Sequence, residues 1–298
     1  MRPSKFVLGT AQLGLQYGIA NKSGKPDKKQ SKKIISTAWE LGIKEFDTAQ
    51  AYGTSEYILG ESLKTLGLHK KVNIVTKIDI NPEKLKKEDI KKQILESIKK
   101  LNASQLYGCL LHNEDDLDNF DENNGIQLRK CVSEGLIRYL GVSVYSPERA
   151  LQALDIEDLQ IIQIPANALD RRFAKLGIFE KARQKGRRVY IRSIYLQGLL
   201  LMEPEELSGS MHFAKRDLSA FRKIAEKYML TPQKLAVGFI NNAYPFAHPV
   251  IGAETAEQLR DTMKNEDYSI TNDAIKEVNK LAEKIDQKVI NPTHWGLA

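Results

Sequence analysis

The sequence contains few of the residues that mark secreted, metal-binding or membrane proteins. Two cysteines in 298 residues, Cys109 and Cys131, form neither a disulfide framework nor a metal-binding spacing, so no metal site is expected. No stretch approaches the ~18 consecutive apolar residues that span a bilayer. The opening MRPSKFVLGT lacks the apolar segment of a signal peptide. These absences predict a cytoplasmic protein without a membrane partner.

Aromatic residues are also sparse, at 7%, and this bears on the surplus of positive charge. The formal net charge is +7, with lysines concentrated at 28–33 and in the segment 83–100. In the second segment the apolar residues recur at helical spacing: Ile90, Ile94, Leu95, Ile98 and Leu101. The lysines therefore fall on the solvated face of an amphipathic helix, and no aromatic side chains interleave with them to stack on bases. We expect no nucleic-acid partner, although the charge would attract an anionic substrate or cofactor.

Short β-rich runs alternate with amphipathic segments of helical period along the chain. The runs are 6–11, 44–49, 73–78, 106–112, 139–144, 159–164, 189–194 and 248–253. Eight strands alternating with helices in about 250 residues are typical of a (β/α)8 barrel, the TIM-barrel form of the α/β class. A doubly wound sheet is the alternative, but the G-x-G-x-x-G turn that usually follows its first strand is missing.

Capping signals support the helical segments. Glycines stand between an amphipathic segment and the next strand, where a helix C-cap is expected, at Gly42, Gly67, Gly135 and Gly186. The segment 146–148, Ser-Pro-Glu, is typical of an N-cap followed by proline in the first turn. Two helical segments separate the seventh and eighth strands, two more follow the eighth, and no linker or low-complexity stretch interrupts the chain. The sequence predicts a single domain over residues 1–298.

Four polar side chains fall at strand ends that a barrel would bring together. The active site of a (β/α)8 barrel lies at the C-terminal ends of its strands. Asp47 ends the second run and Tyr52 follows in the next loop, while Lys77 ends the third run and His112 the fourth. Each has an ordinary explanation alone, such as a solvated lysine at a strand end. Their coincidence on three adjacent strand ends predicts one site.

Most of the chain can also be matched, segment by segment, to one group of enzymes. The segments are VLGTAQLG in the first strand, FDTAQAYGTSEYILGESLK from the end of the second, and IVTKI, LLH, GLIRYLGVS, IIQIPANALDR, RSIYLQGLL and VIGAETAEQL further along. In these segments the chain resembles the aldo-keto reductase family over nearly its whole length. The resemblance implies an NAD(P)H-dependent oxidoreductase that interconverts an aldehyde or ketone and the alcohol. It also implies that Asp47, Tyr52, Lys77 and His112 form the catalytic tetrad of that family.

In that reaction a carbonyl group receives hydride at carbon and a proton at oxygen. A free tyrosine, with a pKa of ~10, is a slow acid at neutral pH, and a nearby ammonium group stabilises phenolate and lowers that value. The resemblance therefore assigns the proton donor to Tyr52, the ammonium group to Lys77 and the support of Lys77 to Asp47. His112 would orient the carbonyl oxygen or help to relay the proton. Hydride has to come from nicotinamide, since no side chain supplies it.

The resemblance further implies a set of cofactor contacts. They are Thr10, Asp47, Ser143, Gln163, Arg192, Ser193, Leu196, Gly198, Gly252, Glu254 and Gln258. Ser143 and Gln163 match contacts to the nicotinamide carboxamide, but Val144 stands where an asparagine is common. Arg192 occupies the position of a tyrosine that often stacks on nicotinamide. The residues at 193–198 match the loop over the pyrophosphate.

The expected cofactor is NADP(H), with NAD(H) as the alternative. Most members of the family hold the 2′-phosphate with basic residues after the eighth strand. This chain has Gly252 and Gln258 at positions where those members often have a lysine and an arginine. Glu254, between them, would repel a phosphate by ~1 kcal/mol or more, or would accept hydrogen bonds from an unphosphorylated ribose. Arg260 and Lys264 are close enough in sequence for either side chain to reach a 2′-phosphate. We expect dual use or a weakened preference for NADPH, with NADPH slightly ahead.

The loops that shape the substrate pocket in this family are polar in this chain. They lie at 113–125 and 199–217, with the tail at 291–298. Carboxylates and amides in the two loops favour a small polyhydroxylated substrate, such as a sugar or sugar derivative, although solvated loops would have the same composition. In the tail, His294 and Trp295 either line the pocket or pack the terminus. A monomer or weak homo-oligomer is expected.

Two other functions were weighed against an active oxidoreductase. A regulatory module could keep the barrel and the cofactor with little turnover, as channel-associated subunits of this family do. A metal-dependent (β/α)8 hydrolase would need a cluster of histidines and aspartates, typically beginning with paired histidines on the first strand, and VLGTAQLG contains none. The four strand-end residues favour the oxidoreductase over both.

Overall fold

The computed structural model describes residues 3–80, 89–120, 124–207 and 209–295. Parallel strands pair in sequential order and close into an eight-stranded barrel. The strands are β1 (Val7–Gly9), β2 (Glu45–Asp47), β3 (Asn73–Ile78), β4 (Leu106–Leu111), β5 (Ile137–Ser143), β6 (Leu159–Pro165), β7 (Arg188–Arg192) and β8 (His248–Ile251). Each coincides with one of the runs recognised in the sequence, and the predicted (β/α)8 barrel is confirmed.

Helices connect the strands and cover the outside of the barrel. They are α1 (Ala11–Gly14), α2 (Lys28–Glu40), α3 (Ser55–Thr65), α4 (Asp89–Lys100), α5 (Gly125–Ser133), α6 (Pro147–Asp155), α7 (Arg172–Lys175), α8 (Ile178–Gln184), α9 (Lys215–Lys227), α10 (Pro232–Ala243), α11 (Ala256–Met263), α12 (Asn272–Ala282) and α13 (Gln287–Ile290). Short 3-10 turns occur at Glu114–Asn119, Leu196–Leu201, Pro204–Glu206, Gly209–Ala214 and Pro292–His294. Among the described residues, no helix is long and apolar enough to cross a membrane.

The predicted helix caps are present, with one correction. The four glycines have the left-handed backbone that ends a helix, with φ of 90° at Gly42, 66° at Gly67, 76° at Gly135 and 64° at Gly186. Helix α6 begins at Pro147, as predicted, but the Ser146 hydroxyl does not cap it. The Glu114 carboxylate instead accepts the backbone N–H groups of Tyr145 at 2.6 Å and of Ser146 at 3.1 Å. Ser146 therefore occupies the N-cap position without capping by its side chain, and a carboxylate from the loop after β4 binds the backbone just before the helix.

Apolar side chains pack on both sides of the strands. The barrel interior is filled by Val7, Val75, Leu110, Ile161, Tyr190 and Val250, and a larger core lies between strands and helices. On α4, Ile90 and Ile94 are buried as predicted, but Leu95 is 44% exposed because it lies beside the buried stripe rather than in it. Ser97 takes the buried position and its hydroxyl accepts a hydrogen bond from Gln50 at 2.8 Å. Residues 81–88, the start of the predicted lysine-rich helix, lie outside the described residues.

The N-terminal end of the barrel is closed by a buried polar cluster. Glu45, which is 7% exposed, accepts hydrogen bonds from Arg188 Nη2 at 2.9 and 3.1 Å and from the Tyr190 hydroxyl. Arg188 Nε also donates to the Tyr190 hydroxyl at 3.1 Å. Desolvation, followed by the nearby Glu45 charge, raises the pKa of Tyr190, so its hydroxyl stays protonated as a donor. Glu45 depends on these partners because a buried carboxylate without a cation is strongly destabilising.

Replacing Arg188 by methionine should therefore destabilise the fold. The variant leaves the Glu45 charge buried without its cation, at a cost of about 2–3 kcal/mol, below that of a fully buried pair because Arg188 remains 32% exposed. Urea unfolding at pH 7 measures the change. Lys33→Met is the control, because it breaks the exposed Lys33–Glu257 pair (3.0 Å) and should cost less than about 0.5 kcal/mol. Equal effects of the two variants would contradict a structural role for the Glu45 cluster.

Candidate active site

The four strand-end residues lie together at the C-terminal end of the barrel. Asp47 is the last residue of β2, Lys77 precedes the last residue of β3, and His112 directly follows β4. Lys77 Nζ donates to both carboxylate oxygens of Asp47, at 2.8 and 2.7 Å, and to the Thr48 carbonyl at 2.9 Å. It also lies 3.4 Å from the Tyr52 hydroxyl. The amine is thus the shared partner of an acid and a phenol.

Lys77 is held in its charged form by these neighbours. Its side chain is 1% exposed, and burial alone would lower the pKa of the amine. The Asp47 carboxylate and the Tyr52 hydroxyl outweigh that effect, and the pKa of Lys77 is raised above its ordinary value. A protonated amine therefore faces the phenol oxygen at neutral pH.

His112 is neutral at the same pH. Burial, with a further contribution from the Lys77 charge, lowers the pKa of His112 to about 4. A neutral imidazole carries one N–H donor and one acceptor nitrogen. Its ring meets that of Tyr52 edge to face, with 5.8 Å between the centroids. His112 can therefore donate a hydrogen bond to an oxygen atom placed beside the phenol.

The loop that carries Tyr52 is fixed by a close backbone contact. A Cβ atom built on Gly14, at the end of α1, would lie 1.7 Å from the Tyr52 carbonyl oxygen. The loop also turns at Gly53, where φ is 56°. Glycine is required at both positions, one for space and the other for conformation. The sequence VLGTAQLG, which contains Gly14, thus acts on the site through the position of Tyr52.

Buried hydroxyl groups link β1, β2 and α3 beneath this loop. Thr10 Oγ1 donates to the Asp47 carbonyl at 2.9 Å, and Ser55 Oγ lies 2.8 Å from Thr10 Oγ1 and 3.0 Å from Thr48 Oγ1. Sequence reasoning missed the structural role of Thr48 and Ser55. The Thr10 hydroxyl, predicted to contact the cofactor, is engaged within the protein, although Thr10 still lines the adjacent cleft.

A cleft of about 540 Å³ extends from Tyr52 across the ends of β6, β7 and β8. Most of the predicted cofactor contacts line it: Thr10, Asp47, Gln163, Arg192, Ser193, Gly198, Gly252, Glu254 and Gln258. Leu196 is buried in the apolar core, so its side chain faces away from the cleft. Ser143 is buried behind Gln163, and its hydroxyl donates to Gln163 Oε1 at 3.3 Å. The predicted contacts are therefore grouped along one wall, with Leu196 and Ser143 set behind it.

Two tyrosines near the four strand-end residues were not identified from the sequence. Arg192 Cζ lies 4.0 Å from the centroid of the Tyr145 ring, and Arg192 Nη2 donates to the Val144 carbonyl at 3.3 Å. Partial burial raises the pKa of Tyr17, whose hydroxyl feels the charges of Arg192 and Lys77. Both tyrosines follow strands, Tyr17 after β1 and Tyr145 after β5. Applying the strand-end rule to aromatic residues would have identified Tyr145 but not Tyr17, which lies beyond α1.

Acidic and amide side chains form the wall after β8. Gln258 Nε2 donates to Glu254 Oε2 at 3.1 Å, and both residues line the cleft with Asp261. Arg260 points instead toward Glu40, at 3.6 Å, and Lys264 pairs with Asp261 at 2.7 Å. Arg260 and Lys264, the two basic residues considered as partners of a 2′-phosphate, are therefore each paired with a carboxylate.

The C-terminal segment packs on the body of the protein. Trp295 is 2% exposed, and its indole N–H donates to the Lys288 carbonyl at 2.9 Å. His294 Nε2 lies 3.3 Å from Asn291 Nδ2. Of the two roles considered for this segment, packing of the terminus is therefore the one observed for Trp295. Residues 296–298 lie outside the described part of the chain.

Comparison with known proteins agrees with this arrangement. The model of the aldo/keto reductase family matches residues 5–283, and the chain belongs to that family. Aldo-keto reductase str7 of Strobilurus tenacellus is 24% identical over 299 residues, which cover 93% of this chain and 87% of the relative. The predictions of family membership and of an oxidoreductase are confirmed. The family uses nicotinamide nucleotides and acts on small carbonyl compounds.

Solved structures share the fold. The aldo-keto reductase AKR11C1 from Bacillus halodurans, in its holo form, is 22% identical with a TM-score of 0.78, covering 99% of this chain and 96% of that one. The glycerol dehydrogenase AKR11B4 from Gluconobacter oxydans is 24% identical with a TM-score of 0.73, covering 96% and 94%. At these identities the likeness concerns the (β/α)8 barrel.

Proposed function

We propose that this protein reduces a small polar aldehyde or ketone with a nicotinamide cofactor, Tyr52 acting as the proton donor. The observation that carries the proposal is the buried Asp47–Lys77–Tyr52 arrangement, in which one ammonium group contacts both a carboxylate and a phenol. The reverse reaction, oxidation of the alcohol, uses the same groups. When bound, the cofactor supplies the hydride, which no side chain provides.

The acid–base role of Tyr52 follows from the charge beside it. When the phenol gives its proton to the carbonyl oxygen, the phenolate left behind lies 3.4 Å from the Lys77 amine. An ammonium group at this distance in a buried site favours the ionised phenol. Asp47 keeps the amine charged and fixed by its two hydrogen bonds. Tyr52 can thus give its proton to the carbonyl oxygen while Lys77 faces the phenolate that remains.

His112 would bind the substrate oxygen rather than carry charge. Its pKa of about 4 keeps the imidazole neutral, so it donates one N–H without adding a second cation next to Lys77. A neutral donor strengthens the polarisation of the carbonyl group while leaving the proton transfer to Tyr52. This division of roles matches an acid in the loop after β2 and a donor that follows β4.

The cleft has features that suit a dinucleotide. The loop after β7 has a left-handed backbone at Ser193 (φ 62°), Leu196 (51°), Gln197 (55°) and Gly198 (94°). Such strained residues cluster at ligand sites. Thr231 and Pro232, at the positive N-terminal end of α10, line the same cleft. These features support a pyrophosphate held between β7 and α10, with the nicotinamide toward Gln163 and Arg192.

The wall after β8 favours an unphosphorylated ribose. Glu254, Gln258 and Asp261 line it, whereas Arg260 and Lys264 are paired with carboxylates. A 2′-phosphate there would meet the Glu254 carboxylate, whereas the Asp261 carboxylate is already paired with Lys264, and a ribose hydroxyl would meet acceptors. The sequence places NADPH slightly ahead, and the side-chain arrangement moves the proposal toward NADH. We expect NADH to serve at least as well as NADPH.

Replacing Glu254 by arginine should shift this choice toward NADPH. The change removes a carboxylate and supplies a cation beside the expected 2′ position, and should raise kcat/KM for NADPH about tenfold relative to NADH. Steady-state kinetics with both cofactors provide the measurement. Glu257→Arg is the matched control, because the same charge change on α11 lies beside Lys33 and outside the cleft lining. A parent preference for NADPH above about a hundredfold, or equal effects of the two variants, would refute the role of Glu254.

The substrate proposal rests on the polarity of the site mouth. The catalytic residues are bordered by Tyr17, Tyr145 and Arg192, which offer hydroxyl groups, ring faces and a guanidinium group. Aromatic faces with polar tips suit a small polyhydroxylated carbonyl compound, such as an aldose or a sugar derivative. The structural relative described as a glycerol dehydrogenase also acts, by its description, on a polyhydroxy alcohol.

A substrate panel tests the proposed activity. Oxidation of NADH and NADPH would be followed with small aldehydes, aldoses and ketoses, with Tyr52→Phe as the inactive control. Turnover that disappears in Tyr52→Phe supports the proposal. Cofactor binding without turnover on any member of the panel would favour the regulatory-module alternative. Turnover that survives the substitution would remove Tyr52 from the mechanism.

A further inference from the structure

A hydrogen bond crosses the interior of the barrel to reach Asp47. Gln163 on β6 donates from Nε2 to Asp47 Oδ1 on β2 at 2.8 Å. Because the strands close in sequential order, β2 and β6 stand on opposite sides of the barrel. Both side chains are buried, Gln163 at 1% and Asp47 at 4% exposure. This contact lies outside the hydrogen-bond ladder of the sheet and joins two strands that do not pair.

The orientation of the Gln163 amide is dictated by its neighbours. The Asp47 carboxylate oxygens accept hydrogen bonds from Lys77, and the Gln163 amide nitrogen faces Oδ1 as a further donor. The amide oxygen then faces the Ser143 hydroxyl, which donates to it at 3.3 Å. The result is a chain in which Ser143 donates to Gln163 and Gln163 donates to Asp47, which also accepts from Lys77.

We infer that Gln163 is a positioning residue for the acid–base pair. Its amide fixes Asp47 from the far side of the barrel and takes up part of the carboxylate charge, so that Lys77 can stabilise the ionised oxygen of Tyr52. The inference rests on the proposed function for its catalytic meaning. It concerns a bond within the protein, however, and it can be tested without turnover.

The charges of Asp47 and Lys77 explain why loss of the Gln163 amide should make the Tyr52 phenolate less stable. Asp47 holds Lys77 in place but also opposes a negative charge on Tyr52, and a donor to Asp47 Oδ1 weakens that opposition. Without the Gln163 amide, the carboxylate draws more strongly on Lys77 and the phenolate is less stable. Among the described residues, the other titratable or charged groups around Tyr52 are His112, Tyr17, Tyr145 and Arg192, with Asp79 near His112. A substitution at Gln163 leaves these groups unchanged.

The test follows the ionisation of Tyr52 in the cofactor-free protein. Alkaline titration by near-ultraviolet absorbance, taken as the difference from Tyr52→Phe, isolates this tyrosine from the others. Gln163→Met removes the amide at similar volume and should move the midpoint upward by about half to one pH unit. In an Asp47→Asn background the same substitution should move it by much less, because the charge that Gln163 offsets is gone. Gln160→Met, at the other end of β6, is the matched control and should move neither midpoint.

Kinetics provide the second readout. At saturating cofactor, Gln163→Met should lower kcat about five- to tenfold in the parent and by less than twofold in Asp47→Asn. An unmoved Tyr52 midpoint would overturn the inference, and so would equal shifts in the two backgrounds. A change in cofactor Kd alone would reduce Gln163 to a cofactor contact. If no substrate is found, the titration still decides, so failure of the proposed function and failure of this inference are distinguishable.

A second variant keeps the inference testable if the Gln163→Met protein does not fold. Gln163→Glu would place a carboxyl group beside Asp47, where two carboxylates cannot both ionise without a large penalty. One carboxyl group should keep a proton and donate it to the other at low pH, and the network should fail as the pH rises. A Gln163→Glu protein whose Tyr52 titration and turnover match the parent at every pH would overturn the inference.

Discussion

Substitution of Tyr52 by phenylalanine is expected to lower kcat by about 10²–10⁴-fold while leaving cofactor affinity nearly unchanged. The variant loses only the hydroxyl group, and the ring contact with His112, at 5.8 Å between centroids, can persist. The Lys77 amine keeps its three bonds to Asp47 and Thr48, so the charge pair stays in place. The loss in kcat should therefore reflect the missing proton donor alone.

Two measurements separate this result from a general defect. Fluorescence titration gives the cofactor Kd, and steady-state kinetics on the best aldehyde of a substrate panel give kcat. Tyr57→Phe, on the exposed face of α3, is the matched control and should retain parental turnover. A Tyr52→Phe enzyme that works at more than about half the parental rate, against the ~10²-fold minimum loss expected for a general acid, would show that another group gives the proton.

Replacing Lys77 by methionine should cause a comparable loss and should also change the pH profile. The ammonium group that favours phenolate is removed, so the ionisation that controls turnover should move to higher pH. The raised pKa of Lys77 means that the charge is fully present throughout the neutral range in the parent enzyme. Methionine also leaves the Asp47 carboxylate buried beside Gln163 without its cation, which should lower stability.

The control for Lys77 is Asp47→Asn, which keeps the amine and removes the opposing charge. Its loss in turnover should be smaller, because Asp47 acts through Lys77. The measurement is kcat against pH for the parent and both variants, with urea unfolding to confirm that each is folded. A still-active Lys77→Met enzyme with the parental pH profile would exclude Lys77 from the control of Tyr52.

Strand order and the placement of the catalytic candidates could be predicted because both depend on local pattern. Period-two and period-3.6 hydrophobicity locate the elements, and parallel strands gather their C-terminal ends at one rim. Asp47, Lys77 and His112 needed only that rule. Leu95 shows the limit of the helical period as a guide to burial, because it is exposed although its neighbour Ile94 is buried.

Features that depend on side-chain direction could not be predicted. Arg260 is near the expected 2′ position in sequence, but its ion pair with Glu40 depends on how α11 faces α2. The pair of Lys264 with Asp261 is local, three residues apart, but the position of Asp261 at the cleft depends on how α11 is turned. The bond between Gln163 and Asp47 joins residues 116 positions apart and depends on the width of the closed barrel. The resemblance suggested a cofactor contact for Gln163, and nothing in the sequence indicated its bond to Asp47.

The distribution of the site over the barrel has a consequence for how such an enzyme can diversify. The proposed acid–base groups come from β2 to β4, in the first half of the chain. Most of the proposed cofactor contacts that line the cleft lie on or after β6 to β8, in the second half, with Thr10 and Asp47 as the exceptions. Substitutions that alter the preferred dinucleotide can therefore accumulate in one half while proton transfer is preserved in the other. Asp47 and Gln163 form a seam between the halves, and these two positions would have to change together. In a chimera assembled from the two halves of different family members, activity would depend first on whether the residues at positions 47 and 163 are compatible.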